Sequence, residues 1–296
     1  MRRAAVELPA SLSWWRDEPG GADWLGRLPQ LAEECAEQWG LELGPPFAGG
    51  NVSLVLPAGD DAVLKLNFPD EESEHEADAL ALWNGDAAVR LLAHDPERRA
   101  LLIERCRPGT TLWELADERA ATSIAAGLLR RIWRPPPPEH PFRLLTTEAA
   151  RWATELPGQW ERLGRPFDRA LLDEAVAAAQ QLSASQQDPV VVHQDFHGGN
   201  VLRAQREPWL VIDPKPLVGE RAFDAASLLR DRRDELALDP APARRVRSRL
   251  SQLTDELALD RERLRGWGIV HALAWGVSEG KLEHDMVDCA GWLARA

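Results

Sequence analysis

One β-forming segment interrupts the helical second half of the chain, and it constrains the fold more than any other feature. Residues 188–216 read DPVVVHQDFHGGNVLRAQREPWLVIDPKP. The apolar runs Val190–Val192, Val201–Ala204 and Trp209–Ile212 predict short strands, and the polar turn between the last two predicts a hairpin. The intervening His193–Asn200 contains two glycines and is typical of a loop. A small β-unit is therefore expected inside a helical body.

The first third of the chain is patterned mainly for β-structure. Short apolar runs between turn residues predict four strands, and apolar residues recurring every three or four positions predict two helices. The strands are Val52–Leu56, Ala62–Leu66, Ala88–Leu92 and Leu101–Glu104, and the helices are 28–39, ended by Gly40, and 71–84. Later helices are predicted over 112–119, capped by Thr111 and Glu114, and over 168–182, 243–265 and 269–279.

Charge and composition point to two bodies and exclude some classes of function. The chain of 296 residues has a net charge of −13, which argues against nucleic acid as a partner. Residues 1–106 hold 20 acidic and 9 basic side chains, whereas the rest is nearly neutral. Three widely spaced cysteines, no long apolar run and no apolar leader predict a cytoplasmic protein without a membrane partner.

The hairpin brings together groups that can hold a metal ion. Asn200 stands just before its first strand and Asp213 just after its second, so antiparallel pairing predicts that the two side chains meet at one end. A carboxamide oxygen and a carboxylate suit Mg²⁺, which keeps room for water and phosphate oxygens. Asp195 lies on the loop that leads to the same end, where a carboxylate can accept a proton from an attacking hydroxyl.

Simpler interpretations of this loop remain open. An Asn or Asp at a strand end is usually a turn former, and a single His193 is more often structural than catalytic. His193, Asp195 and His197 also alternate, so on a strand they would share one face like the ligands of a hydrolytic metal centre. The glycines at 198 and 199 argue for a loop instead, and no third histidine follows nearby.

Lys65 is one of only three lysines and sits in an apolar strand. An inward lysine is costly unless it is paired, and Glu76 can share the core-facing stripe of the next helix with Leu80 and Trp83. Such a pair holds nucleotide phosphates in kinase-type folds. The competing interpretations are a different partner, Glu72 or Glu74, or a lysine at a sheet edge that reaches the solvent. Gly49 and Gly50 precede the first strand, where a loop could approach phosphates, but there is no full G-x-G-x-x-G.

Taken together, these motifs resemble the aminoglycoside phosphotransferase family of kinase-like enzymes. The carrying elements are LKLNFPDEESEHEADALALW, LLIERCRPGTTL and VVHQDFHGGNVLRAQREPWLVIDPKPLVGERAFDAASLLRDR, which look most like the streptomycin 6-kinase and hydroxyurea phosphotransferase branch. The resemblance covers roughly residues 45–235. Gln194 and Gly198 depart from the family pattern, which often has Gly and Pro there. Pro214-Lys215 after Asp213, together with the missing activation-loop motif, argues against a protein kinase.

The resemblance implies a role for each matching residue. Asp195 would be the catalytic base, and Asn200 and Asp213 would hold Mg²⁺. Lys65, oriented by Glu76, would bind the phosphates of ATP or GTP. The remaining positions are Gly49 and Gly50 at the phosphates, the backbones of Glu104 and Cys106 at adenine, and His193 and Asp224 as supports of the catalytic loop.

The sequence thus predicts an α+β, bilobal protein-kinase-like fold and an ATP-dependent O-phosphotransferase for a small-molecule hydroxyl. Residues 1–105 would form the nucleotide-binding lobe, and 106–296 the helical lobe with the acceptor site. A cationic acceptor such as streptomycin would need placed carboxylates and a flat ring. The candidates are Asp231, Asp234, Glu235, Glu279, Glu283, Asp285, Asp288, Trp267 and Trp275. The alternatives are a hydroxyurea or small-metabolite kinase, and a nucleotide-binding regulatory module without turnover.

Overall fold

The computed structural model describes residues 6–48, 50–278 and 280–296. The chain forms two units. The first takes in Met1–Gly109 and Arg203–Ile212, and the second takes in Thr110–Leu202 and Asp213–Ala296. The first long segment of the first unit ends at Gly109, in the Arg107-Pro108-Gly109 break. The chain returns to this unit at Arg203–Ile212, which form the turn and second strand of the hairpin. Sequence patterning does not predict this return.

The first unit is built on an antiparallel sheet with strand order β1-β2-β4-β3. Its strands are β1 (Ser53–Ala58), β2 (Ala62–Asn67), β3 (Leu91–Asp95) and β4 (Ala100–Glu104). Its α-helices are α1 (Gly21–Trp39) and α2 (Glu76–Trp83), and a 3₁₀ helix over Ala10–Asp17 comes before α1. In the inner strand β2, Lys65 is paired with Val55 on one side and Leu101 on the other. A lysine at a sheet edge is therefore excluded.

Apolar side chains from α1 and one face of the sheet form the core of this unit. Leu28 and Leu31 of α1 pack in one cluster with Leu54, Leu64 and Leu66. The helix begins at Gly21, seven residues before the predicted start, because Trp24 and Leu25 extend its buried face. It ends as predicted at Gly40, whose φ of 65° is left-handed and favours glycine.

The predicted strand at Ala88–Leu92 is displaced in the structure. Strand β3 covers Leu91–Asp95 instead, with a register shift against β4 between Leu91 and Ala93. Ala88 forms a parallel bridge with Val211. The N–H of Val89 donates to the Val211 carbonyl at 3.0 Å. The predicted bounds are therefore wrong, because Leu91 and Leu92 belong to β3 whereas Ala88 is bridged to Val211 and not to β4.

The second unit is mainly helical. Its elements are α3 (Glu118–Ile132), β5 (Arg143–Leu144), α4 (Leu145–Arg162), α5 (Arg169–Ala184), β6 (Val190–Val192), β7 (Val201–Arg203), β9 (Leu217–Gly219), α6 (Arg221–Ala226), α7 (Arg233–Leu238), α8 (Pro242–Leu257), α9 (Arg261–Gly276), β10 (Val277–Ser278), β11 (Lys281–Leu282) and α10 (His284–Ala294). The strand that follows β7 in the chain, β8 (Trp209–Val211), belongs to the first unit. Strand β9 lies between β5 and β6, and β7 pairs with β8. The three strands of the predicted β-unit are thus present.

Further helix boundaries differ from the sequence expectation, since α2 begins at Glu76 and not at 71, and the predicted helix 269–279 is the end of α9. The capping box of Thr111 and Glu114 is present, but it closes only a 3₁₀ turn, and α3 begins after a second cap, Asp117, which accepts from the Ala120 N–H. The predicted helix 243–265 is two helices, because Ala258 is left-handed and Asp260 caps α9. Within the described ranges, no helix is long and apolar enough to cross a membrane.

Candidate active site

Lys65 and Glu76 form a buried ion pair in the first unit. The ammonium of Lys65 donates to Glu76 Oε1 at 2.7 Å and to Oε2 at 2.6 Å. Asn67 Nδ2 adds a third hydrogen bond to this carboxylate, to Oε2 at 2.7 Å. Lys65 is 4% exposed and Glu76 is fully buried, so each charge compensates the other in a site with little water. This is the pairing that the sequence favoured, while Glu74 lies 3.4 Å from Arg99.

The pair is expected to behave as one functional element. Lys65→Met and Glu76→Gln should each lower kcat/KM by about 10²-fold or more, and the double variant should lose little beyond the worse single variant, because either change leaves the other group without its partner. A double-mutant cycle measures this coupling, with ATP as the varied substrate. Additive losses would show that Lys65 and Glu76 do not act together on the nucleotide.

The segment before β1 is fastened by the N-terminal 3₁₀ helix. Ser11 Oγ donates to the Gly50 carbonyl at 2.7 Å, and the indole N–H groups of Trp14 and Trp15 donate to the Asn51 carbonyl at 2.9 and 3.1 Å. A Cβ on Gly50 would lie 2.7 Å from the Ser53 carbonyl oxygen, so this close turn requires glycine. Gly49, the other predicted phosphate-loop glycine, lies outside the described residues.

Loss of hydrogen bonds between the N-terminal 3₁₀ helix and the segment before β1 is expected to weaken ATP binding. Trp14→Phe keeps an aromatic ring but removes one N–H donor, and a hydrogen bond of this kind contributes about 1 kcal/mol. We expect KM for ATP to rise about fivefold, with kcat within about twofold of the parent. Steady-state kinetics measure both, and Trp39→Phe on α1 serves as the control. An unchanged KM would show that the segment before β1 keeps its shape without the Trp14 hydrogen bond.

The predicted adenine-binding backbone follows β4. The Glu104 N–H donates to the Arg90 carbonyl at 2.9 Å, so this N–H is not available to a base. The backbone of Cys106 makes no hydrogen bond with another described residue. Sequence reasoning missed Arg206, which binds the Glu104 carboxylate at 2.8 Å and ties it to the Gly85 and Ala88 carbonyls. Burial raises the pKa of the Glu104 carboxyl. The hydrogen bonds from Arg206 and from the Arg90 N–H outweigh burial and hold this pKa below its usual value.

In the second unit, Asp224 organises the loop that carries Asp195. Its fully buried carboxylate accepts the backbone N–H groups of His193 at 3.0 Å and Gln194 at 2.9 Å, and the indole N–H of Trp133 at 2.8 Å. Burial raises the pKa of Asp224 to about 6, although the three donors oppose the rise. The loop turns at Gln194, whose φ of 69° is left-handed. A left-handed φ is adopted without strain by glycine and less readily by glutamine.

Asp195 is ionised at neutral pH. Burial alone raises its pKa, but His197, with Nε2 3.6 Å from Oδ2, the positive charge of Arg230 and the nearby His193 ring outweigh burial and hold the pKa of Asp195 below its usual range. The side chain is 29% exposed, so a substrate hydroxyl can reach it. Asn200 Nδ2 donates to the Asp195 carbonyl at 3.0 Å, which turns the amide so that Oδ1 remains as the possible metal ligand.

Asp213 has a partner that sequence reasoning did not assign. Lys215 Nζ lies 2.8 Å from Asp213 Oδ1, and Lys215 is 8% exposed. Asp213 has a φ of 57°, a left-handed conformation that costs an L-residue about 1 kcal/mol. Lysine scarcity was the available signal for Lys215. The Asp213 carboxylate and the Asn200 amide oxygen are hard oxygen donors of the kind that Mg²⁺ prefers, and their role as its ligands stays a prediction.

The hydrolytic metal-centre interpretation is not supported. No group of three His, Cys, Asp or Glu side chains among the described residues lies close enough to hold a metal ion. His197 accepts the Gly199 N–H at Nδ1 (3.1 Å) and stacks on Trp113 with ring centroids 5.0 Å apart. A Cβ on Gly198 or Gly199 would lie 2.6 Å from the Trp113 ring, so that stacking requires both glycines.

Most acids proposed for the acceptor have partners within the protein. Asp231 accepts from the Gly198 N–H at 3.1 Å and from Trp113, Glu235 binds Arg245 at 2.7 Å, and Arg233 contacts both Glu283 and Asp285. Asp234 and Asp288 are exposed, and Glu279 lies outside the described residues.

The two candidate tryptophans also differ from the expectation. Trp267 is wrong as a ligand platform, because it is fully buried and its N–H donates to Glu220. Trp275 is half-buried, and one of its faces stacks on His271 with centroids 3.9 Å apart. Trp275 therefore has less ring surface for a ligand than the sequence suggested.

Comparison with known proteins adds independent evidence. The family model described as aminoglycoside/hydroxyurea antibiotic resistance kinase matches residues 43–282. A streptomycin 6-kinase of Streptomyces glaucescens is 39% identical over 272 residues, which cover 90% of this chain and 88% of that protein. A hydroxyurea phosphotransferase of Kitasatospora aureofaciens is 38% identical over 291 residues, covering 94% and 83%.

A solved structure matches the fold. Aminoglycoside phosphotransferase APH(3″)-Id from Streptomyces rimosus, in complex with ADP and streptomycin, has a TM-score of 0.57 and 20% identity, covering 85% of this chain and 99% of that one. The likeness shows the protein-kinase-like fold that the sequence predicted.

Proposed function

The chain belongs to the aminoglycoside/hydroxyurea antibiotic resistance kinase family, and within that family we propose that it transfers the γ-phosphoryl group of ATP to streptomycin. Two relatives that support this acceptor, at 39% and 35% identity, are streptomycin 6-kinases. The proposed acceptor group is accordingly the hydroxyl at position 6. ADP in a structure of the same fold supports a nucleotide as the donor.

The observation that best supports phosphoryl transfer is the partly exposed carboxylate of Asp195, which stands on a loop braced by the buried Asp224. The acceptor hydroxyl would give its proton to Asp195 while its oxygen forms a bond to the γ-phosphorus. The bond from that phosphorus to the β–γ bridging oxygen breaks, and ADP leaves with the electron pair. Asp224 and His193 would keep the loop in the shape that this transfer needs.

The remaining residues would hold the nucleotide. Lys65, fixed by Glu76, would bind phosphate oxygens, and the Cys106 backbone would meet adenine. Asn200 and Asp213 would hold Mg²⁺, which supplies positive charge for the phosphates when bound.

Hydroxyurea is the second candidate acceptor, and one structural observation favours it. Streptomycin carries two guanidinium groups that carboxylates can bind bidentately, yet Asp231, Glu235, Glu283 and Asp285 already contact donors of this chain. A small neutral acceptor needs no such carboxylates. Among the described candidates, Asp234 and Asp288 would have to supply the recognition of a cation.

The test is phosphorylation by the purified protein. ADP release with streptomycin, hydroxyurea, choline or no acceptor, followed by mass spectrometry and NMR of the product, identifies the acceptor and the modified hydroxyl. We expect streptomycin 6-phosphate, with KM rising with salt because the acceptor is cationic. Phosphorylation of hydroxyurea alone would contradict the cationic acceptor. Nucleotide binding without ADP release in any mixture would identify a regulatory module.

A further inference from the structure

Arg230 is a buried arginine beside the proposed base that neither motif spacing nor composition singles out. It ends the 3₁₀ turn Ser227–Arg230 after α6 and is 8% exposed. Its Nη2 lies 3.7 Å from Asp195 Oδ1. That Nη2 is buried and makes no hydrogen bond with any residue that the structure describes.

His271 on α9 holds Arg230 from the other side. Arg230 Nε donates to His271 Nδ1 at 3.0 Å, and His271 Nε2 lies 3.1 Å from the Gln194 carbonyl. These two contacts fit one neutral tautomer, with the proton on Nε2. Burial, with the charge of Arg230, lowers the pKa of His271 to about 3, which agrees with a neutral ring. The imidazole therefore links Arg230 to the residue before Asp195.

Stacked rings fix the plane of this arrangement. The His271 and Trp275 rings are nearly parallel, with an interplanar angle of 5°, and the Arg230 guanidinium lies 6.0 Å from the Trp275 ring centroid. Trp275 is held in turn by Trp152 at 5.3 Å. The guanidinium can therefore change its orientation only if packed aromatic side chains move.

We propose that Arg230 is a positioning residue that, held by His271, fixes the carboxylate of Asp195 for proton transfer. A buried guanidinium is costly unless a carboxylate compensates it, and Asp195 is the carboxylate that faces the open Nη2. A distance of 3.7 Å exceeds a hydrogen bond, so Arg230 restrains Asp195 while leaving its lone pairs to the acceptor hydroxyl. Catalytic contacts of this kind often shorten when substrates bind.

This inference rests on the proposed role of Asp195, so the experiment is a double-mutant cycle between the two residues. Arg230→Met should lower kcat about 10- to 100-fold, with KM for ATP and acceptor within about threefold. Arg230→Lys, which keeps the charge but not the planar fork, should recover part of the loss. In the Asp195→Asn background, Arg230→Met should have no further effect, because Arg230 acts through the carboxylate.

Arg263→Met is the matched control, since Arg263 binds Glu220 from the same helix as His271 and does not contact Asp195. It should lower thermal stability without changing kcat. An Arg230→Met variant with wild-type kcat, or an equal loss in the Asp195→Asn background, would overturn the inference.

The same double-mutant cycle can be run on ATP hydrolysis in the absence of an acceptor. A wild-type protein that hydrolyses ATP but phosphorylates no tested acceptor would refute only the proposed acceptor.

Discussion

Asp195→Asn is expected to lower kcat by about a thousandfold while leaving ATP affinity within about threefold of the parent. The reason is that the side chain acts on the acceptor hydroxyl and not on the triphosphate, and loss of a positioned base removes about 10²- to 10⁴-fold of rate. The asparagine keeps the shape of the carboxylate. It also leaves in place the Asp195 carbonyl that receives Asn200 Nδ2. The loop should therefore hold its form.

Single-turnover kinetics and ATP titration measure the two quantities separately. The matched control is Asp173→Asn, which changes an exposed carboxylate that pairs with Arg169 on α5. It should retain wild-type values. Turnover of Asp195→Asn within tenfold of the parent would show that another group accepts the proton. A parallel loss of ATP affinity would show instead that the substitution had disturbed the loop.

Features that depend on local sequence were predictable. The family, the kinase-like fold and the transferase activity, all expected from ordered motifs, are confirmed by the comparisons. The pairing of Lys65 with Glu76 followed from a strand and a helix that are adjacent in the chain, where an inward lysine needs a partner. The roles of the individual site residues stay predictions until they are tested in solution.

Features that depend on distant parts of the chain could not be read from the pattern. His271 reaches Gln194 across 77 positions, and Trp113 reaches Asp231 across 118, so no spacing rule connects them. Contacts between distant parts of the chain also explain why the predicted acceptor-binding acids are already paired. Asp231 and Glu235 looked available as an acidic cluster, but arginines, an indole and a backbone N–H brought by the fold already contact them.

Asp213→Ala is expected to abolish the Mg²⁺ dependence of ATP binding as well as turnover. In the parent, Mg²⁺ should tighten ATP binding about tenfold or more, because the ion links the phosphates to protein oxygens. Without the carboxylate that gain should fall below about twofold. In the absence of Mg²⁺ the variant should bind ATP as well as the parent or better, because Lys215 keeps its charge while a negative group next to the triphosphate is gone.

The comparison at zero Mg²⁺ separates a lost metal ligand from a damaged fold. A folding defect would weaken ATP binding with and without the ion, whereas a lost ligand removes only the gain that the ion provides. Asp213→Asn is the gentler variant, because asparagine tolerates the left-handed φ of 57° that alanine does not favour. It should keep part of the Mg²⁺ effect through its one remaining oxygen. Calorimetric titration of ATP with and without Mg²⁺ measures each case, and an unchanged Mg²⁺ effect in Asp213→Ala would assign the metal to other oxygens.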